Sequence, residues 1–445
     1  MTRHRLPAIV VATIVVVSVV SQAVAAEQKT TVDAADFVRA DDPTSGIQDA
    51  INALPPDGGT VVVPPGTFPL RRSLVLRSHV RVRGSGSTTI FTRGREVASK
   101  LTIAARKGET SVAVESTEGF LVGDEVALMD DRMHGWYMAH GIVKEVTEGR
   151  LVLVDPIHSG HAEGVFTPEL NAVVVNYFPF FCANRMHFGK PVQDITIQDL
   201  TVDSNMQENS GSWTDFTLAV IHLANVSDSL VRNVTVRGSV GDGIGVQAGH
   251  DNRVESCLVE HCRVHGFHPG TSLKGAVFSG NIGRHNGGDG LYFCAQVCGI
   301  TVTENLFHDN GSSGIGGLGP GGTPGDRFNI VSNNVCRNNG RWGIAASGGK
   351  NNVITSNICI DNSQKAPGQY SGISIANSTH MVVTGNRCGF DGGKPTQKYG
   401  VEEHGTSNKN VITGNSCEGN LDGGIAVVGP DTQAFGNVGE IVRPQ

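Results

Sequence analysis

A Gly followed by an apolar residue recurs through the second half of the chain, and its period constrains the fold more than any other feature. The pairs are Gly243-Ile244, Gly266-Phe267, Gly290-Leu291, Gly314-Ile315, Gly343-Ile344, Gly372-Ile373, Gly400-Val401 and Gly424-Ile425, spaced 23, 24, 24, 29, 29, 28 and 24 residues apart. A second series precedes it at Asn281, Asn305, Asn334, Asn357, Asn386 and Asn415, with Asn233 and Ser256 in the matching earlier places. From Asn to Gly is nine residues in four coils and 15 and 14 in the coils of Asn357 and Asn386, so insertions gather at one corner. Each repeat holds short Val/Ile-rich runs bounded by Asn, Gly and Asp, as in NVITSNICIDN from Asn352 to Asn362. Such runs read as short strands with turn punctuation. A unit this small cannot bury its own apolar face, so neighbours must stack. Equivalent strands then lie parallel, about 4.8 Å apart.

The fold class expected is all-β, a right-handed parallel β-helix. A leucine-rich repeat would show its Leu spacing, which is absent, and a propeller blade needs about 40 residues. The Asn series is expected to form a stacking ladder at a turn, where Asn tolerates unusual backbone angles. Cys336, Cys359, Cys388 and Cys417, each two residues after a ladder Asn, form another expected stack, of small apolar thiols inside the coil. Nine Cys is an odd number at low density, and no CxxC…CxxC metal spacing exists, so neither a disulfide scaffold nor a zinc site is expected.

Composition agrees. Gly contributes 58 of 445 residues, about 13%, against roughly 7% on average, while charged residues are only 17%. Coiled coils, helical bundles and charged disordered chains are excluded. A net charge of −7 gives no basic field for nucleic acid.

Residues 1–26 read as a secretory signal: Arg3 and Arg5, an apolar run of 13 residues from Ala8 to Val20, then Ala23-Val24-Ala25. The run is shorter than the roughly 20 residues of a membrane span. The mature protein is expected to be secreted or periplasmic, with no membrane contact after cleavage. Residues 27–98 should hold the cap and first coils, 99–160 an inserted antiparallel module (SVAVES, GDEVALMD, GIVKEV, RLVLVDP), and 161–445 the repeats. Gly46 to Leu54 should be a short amphipathic helix capped by Thr44-Ser45, covering the open end of the coil. The segment from Asp41 to Arg93, with GIQDAINALPPDGGTVVVPPGTF, resembles the capping segment of the pectate-lyase-like superfamily, and the later repeats resemble those of polysaccharide lyases, epimerases and hydrolases. That resemblance implies the fold, not the reaction.

Strand parity sorts the candidate site. The residue after each repeat Gly should point inward. The next column, Gly245, His268, Tyr292, Gly316, Ala345, Ser374, Glu402 and Ala426, should point outward, as should Gln247, Gly270, Cys294, Leu318, Ser347, Ala376, His404 and Val428. Just before the glycines stand Asp242, His265, Asp289, Ser313, Trp342, Ser371 and Tyr399. His268 should lie beside Tyr292 and His265 beside Asp289, with small residues at Gly245, Gly270 and Gly316 leaving room for a glycan chain. Convergent titratable groups on one face mark a site.

Proton abstraction beside a uronate carboxylate needs a base, an acid and a group that stabilises the developing charge. His268 suits the base and Tyr292 the acid, with His265 and Asp289 completing the catalytic set. Asp242, Gln247, Arg284, His285 and Trp342 are candidate substrate-binding residues, Arg284 or Gln247 for the carboxylate and Trp342 or Tyr399 for stacking on sugars. No metal or other cofactor is required, although Asp289 with Asp242 could hold Ca²⁺. HGFHPGTS, His265 to Ser272, resembles the catalytic turn of mannuronan C5-epimerases; Gly266-Phe267 and Pro269 match, but His265 replaces the family's Tyr, His268 its Asp, Gly270 its His and Thr271 its Glu. The function expected is cleavage of an acidic polysaccharide by β-elimination. A hydrolase using Asp242 and Asp289 or an epimerase on the same fold, and a non-catalytic glycan-binding protein, are the alternatives. Glu402, Glu403 and His404 form a second acidic patch several coils away, read as a remote subsite or a solvated face.

Overall fold

The computed structural model describes residues 30–132, 137–158, 164–185, 189–209, 213–319 and 325–444; the expected signal segment lies outside them. The chain is a parallel coil of stacked rungs. One 13-stranded sheet runs from Leu74–Val75 and Phe181–Cys182 through Ile221–Ser227, Ile244–His250, Phe267–Gly270, Leu291–Tyr292, Ile315–Leu318 and Ile344–Ser347 to Ile441–Val442. The other strands of each rung join a 21-stranded sheet. Ile244, Phe267, Leu291, Ile315, Ile344, Ile373, Val401 and Ile425 are all fully buried in one continuous core. Among the described residues no helix is long and apolar enough to cross a membrane.

The asparagine ladder exists, but its physical basis differs from the expectation. The side-chain oxygen of Asn305 accepts both the backbone N–H (2.9 Å) and the side-chain N–H (3.0 Å) of Asn281, and the pattern continues through Asn334, Asn357, Asn386 and Asn415 to Asn437. The left-handed backbone angles belong to the residue before each Asn, such as Gly280, Glu304, Asn333 and Ser356. Register therefore pairs Asn281 with Cys257 and Val234; Asn233 and Ser256 occupy the left-handed place. A second ladder, not expected from the sequence, runs from Asn286 through Asn310, Asn339, Asn362 and Gln397 to Asn420. Buried backbone groups at a turn must find partners, and a stacked carboxamide serves the rung on either side. Cys336, Cys359, Cys388 and Cys417 stack beside the ladder as buried free thiols.

The capping helix spans Ile47–Asn52 and buries Ile47, Ala50 and Ile51 against the first coil. Its N-cap is Gly46 at φ 80°, with no side-chain cap, rather than Thr44-Ser45. A Cβ there would lie 1.8 Å from the Phe37 carbonyl oxygen, so only glycine lets the chain enter the helix at that point. The inserted antiparallel sheet runs from Ala98–Lys100 to Val173–Val175, beyond the expected end at 160, because the last strand returns to pair with both Ala98–Lys100 and Glu125–Met129. It has its own core. A third apolar cluster, including Met138, Val175, Leu218 and Val240, docks it on the coil, and Glu125 accepts from Ser73 N (2.9 Å) and pairs with Arg185.

Asn334→Ala leaves the buried backbone N–H of Asn305 without its acceptor. A loss of about 3 kcal/mol is expected, from one or two unsatisfied buried groups, read as a lower urea midpoint at unchanged m-value.

Candidate active site

Parity places the site. The strands Ile244–His250, Phe267–Gly270 and Leu291–Tyr292 pair in register through Ile244, Phe267 and Leu291, so His268 and Tyr292 project from the opposite face. Their rings meet edge to face at 5.3 Å. His268 is nevertheless only 5% exposed, because the Asp215–Leu218 turn lies over it with Phe216 edge-on at 6.2 Å.

Beneath His268 is Asp242, fully buried. One carboxylate oxygen sits 2.6 Å from His268 Nδ1 and the other accepts the backbone N–H of His265 at 2.9 Å. Burial alone would depress the His268 pKa, but the charge and hydrogen bond of Asp242, with help from Cys294, push it up to about 10. Burial likewise opposes ionisation of Asp242, yet His268 and His265 hold its carboxyl below the usual range. At neutral pH the pair is therefore carboxylate and imidazolium. Asp242 thus favours the protonated form of His268, which suits a donor better than the base expected of it. Asp242 is fully buried with both oxygens turned to His268 and His265, so it faces the protein rather than a substrate.

His265 has the opposite state. Its Nδ1 accepts the backbone N–H of Asp289 at 3.0 Å, so its ring proton is on Nε2. Burial keeps it neutral, against the pull of Asp242 and Asp289. Its ring stacks flat on Tyr292, with centroids 4.3 Å apart. The Tyr292 phenol is pushed up to about 12, first by burial and then by Cys294, Asp289 and Asp326. Asp289 itself accepts the Ser313 N–H at 2.6 Å.

The small residues flanking the cluster do not hold open space for a glycan. A Cβ on Gly270 would lie 1.7 Å from Gln247 Oε1, and one on Gly316 would lie 2.5 Å from Asp289 Oδ2. These glycines admit neighbouring site side chains. Gln247 is thereby folded over the next rung, with Oε1 accepting Thr271 N–H at 3.1 Å and Nε2 buried without a partner. The left-handed Gly317 at φ 71° makes a bulge that turns Leu318 into the core, against the outward position expected.

His268, Tyr292, His265, Asp289, Asp242 and Gln247 are thus brought together. Arg284 and His285 are not: Arg284 lies on the 21-stranded sheet and pairs with Glu260 (2.8 Å), and His285 stacks on His261 and meets His308 edge to face. Trp342 shares the column of Asp289 two rungs on, and packs edge-on against Tyr370 at 4.7 Å. Tyr399 is buried, as is Glu403, whose carboxylate accepts from Asn410, Thr432, Val428 and Gly429. Sequence reasoning missed Asp215, Phe216 and Asp326. Burial pushes Asp215 up to about 6 and Asp326 up to about 7, the backbone N–H groups at Thr217 and at Gly319 and Val297 opposing it. It also passed over Cys294, although that residue stands in an outward column.

The family model described as a right handed beta helix region matches residues 276–437. The chain is a right-handed parallel β-helix protein. Solved structures agree over nearly its whole length. The mannuronan C-5 epimerase AlgE6 A-module of Azotobacter vinelandii is 17% identical, covering 93% of this chain and 100% of that one at a TM-score of 0.56. The AlgE4 A-module of the same organism is 16% identical, at 91% and 100% coverage and a TM-score of 0.57. DFA-IIIase from Arthrobacter chlorophenolicus A6 is 12% identical, at 92% and 86% coverage and a TM-score of 0.53. No curated protein matches by sequence. At these identities the likeness is one of fold.

The charged pair in this β-helix protein makes stability depend on pH. His268 titrates near 10 in the folded chain and near 6.5 unfolded, so its contribution is complete below about 6.5 and fades as pH rises towards 10. His268→Gln should therefore lose most stability relative to wild type below pH 6.5 and least near pH 10, as read by urea midpoints across that range.

Proposed function

We propose that this protein is an exported enzyme that cleaves a uronate-containing polysaccharide by β-elimination. The observation that carries the reading is the buried Asp242–His268 contact, 2.6 Å, with the Tyr292 ring edge to face with His268 on one sheet face; a carboxylate at that distance favours the protonated imidazole. A fixed positive charge of this kind, acting from just behind the partly exposed Tyr292 and Cys294, stabilises the enolate-like charge that builds when C5 loses its proton. Tyr292, kept protonated, donates to the departing glycosidic oxygen. Similarity to structures named for mannuronan C-5 epimerisation supports an acidic glycan, since epimerisation and elimination share removal of the C5 proton. Trp342, further along the same column, offers an aromatic edge for a distal sugar.

Incubation with a panel of uronate polymers should raise the ultraviolet absorbance of an unsaturated product. His268→Gln and Tyr292→Phe should each lower that rate at least about 100-fold, without loss of the folded far-UV spectrum. New reducing ends without a double bond would make the protein a hydrolase, and polymer binding without turnover would make it a lectin-like module. Because an imidazolium neutralises the carboxylate in this scheme, EDTA should leave the rate unchanged.

A further inference from the structure

The elimination scheme lacks a base. His268 is drawn to its protonated form by Asp242, His265 presents an N–H, Tyr292 holds its proton, and the carboxylates of Asp215, Asp242, Asp289 and Asp326 are all buried. Cys294 stands in the outward column two residues after Tyr292. Its backbone N–H donates to Pro269 O at 3.0 Å, which ties it to the His268 strand, and its thiol lies 3.6 Å from Thr271 Oγ1. Of the nine cysteines, seven are buried and only Cys294 and Cys298 are partly exposed. His268 Nε2 is buried and has no hydrogen-bond partner of good geometry, and the Cys294 thiol is the ionisable group beside that ring.

Resting on the elimination reading above, we propose that Cys294, His268 and Asp242 form a relay in which the Cys294 thiolate is the proton acceptor of the reaction. The Cys294 sulfur takes the C5 proton: the C5–H bond breaks and an S–H bond forms. The released electron pair makes the C4=C5 double bond as the C4–O4 bond breaks. The departing oxygen takes the Tyr292 proton, and Tyr292 is reprotonated as the thiol gives its proton up, so nothing is consumed but the polymer linkage. Burial would raise the Cys294 thiol, but His268, Thr271 and the Ala295 N–H bring it down to about 7. Besides those groups it faces Tyr292 on its own strand and Asp326 on the next rung. Thiols shifted this way by an adjacent imidazolium are the reactive ones in a protein.

The test has two readouts on the purified protein. Carbamidomethylation by iodoacetamide, mapped by peptide mass against pH, should modify Cys294 before Cys298 at pH 7, with a midpoint near 7 that moves up by at least one pH unit in His268→Gln. Cys294→Ala should lower kcat of polymer elimination at least about 100-fold with KM changed less than threefold, and Cys294→Ser should recover little of it. Labelling of Cys294 no faster than Cys298, or a profile indifferent to His268, overturns the relay. Labelling as expected with full elimination by Cys294→Ala overturns the base assignment. Labelling as expected with no elimination of any uronate polymer sinks the elimination reading, and the base role with it, while the thiolate–imidazolium pair stands.

Discussion

Everything at the site depends on the parallel register between successive rungs. It sets Gly245 against His268 and Phe267 against Leu291, and only then can Asp242 of one rung reach His268 of the next. The asparagine ladders hold that register. A side-chain oxygen that accepts from both the backbone and the side chain of the rung before it makes a one-residue slip expensive, since every buried donor in the column would lose its partner at once. The placement of the site residues and solenoid stability therefore rest on the same repeat distance.

The ion pair that register creates is costly. Two charges removed from water lose more than their attraction returns unless further hydrogen bonds satisfy them. Asp242 has the second bond it needs, from the His265 backbone. His268 does not, because its Nε2 remains without a good partner. A buried, charged donor left unsatisfied in the resting protein is stored affinity for an anion or a thiolate, and Gln247 Nε2 repeats the arrangement nearby.

How far the sequence could go is clear from individual residues. Period and parity were enough for the coil, for the inward column and for the neighbourhood of His268, Tyr292, His265 and Asp289, because they follow from repeat spacing alone. Parity could not show that the Asp215–Leu218 turn folds over His268, since a turn between rungs carries no periodic signal. Nor could it show that Gly270 and Gly316 make room for protein atoms rather than substrate, or that Gly317 bulges and turns Leu318 inward. Arg284 and His285 looked close in sequence but belong to the other sheet, because a coil of about 24 residues passes through more than one face. Only the two earliest ladder places, Asn233 and Ser256, slipped by one residue, for a similar reason: the left-handed residue and the buried carboxamide are adjacent, and both places accept Asn.

Protonation is the property least readable from sequence, and here it inverts the chemistry. The epimerase-like turn places Asp where this chain has His268. Exchanging a carboxylate for an imidazole would ordinarily remove a negative charge and add a group that titrates near neutrality. With Asp242 directly behind it, the exchange instead fixes a positive charge on the outward row. A site with a carboxylate at that place can accept a proton there; a site with an imidazolium can only donate one or attract an anion. In the proposed elimination the proton acceptor would then come from another residue in the cluster, one that the imidazolium favours in its anionic form. Of the cluster groups whose titration His268 shifts towards the anion, Cys294 alone is both partly exposed and unbound by a second ion pair.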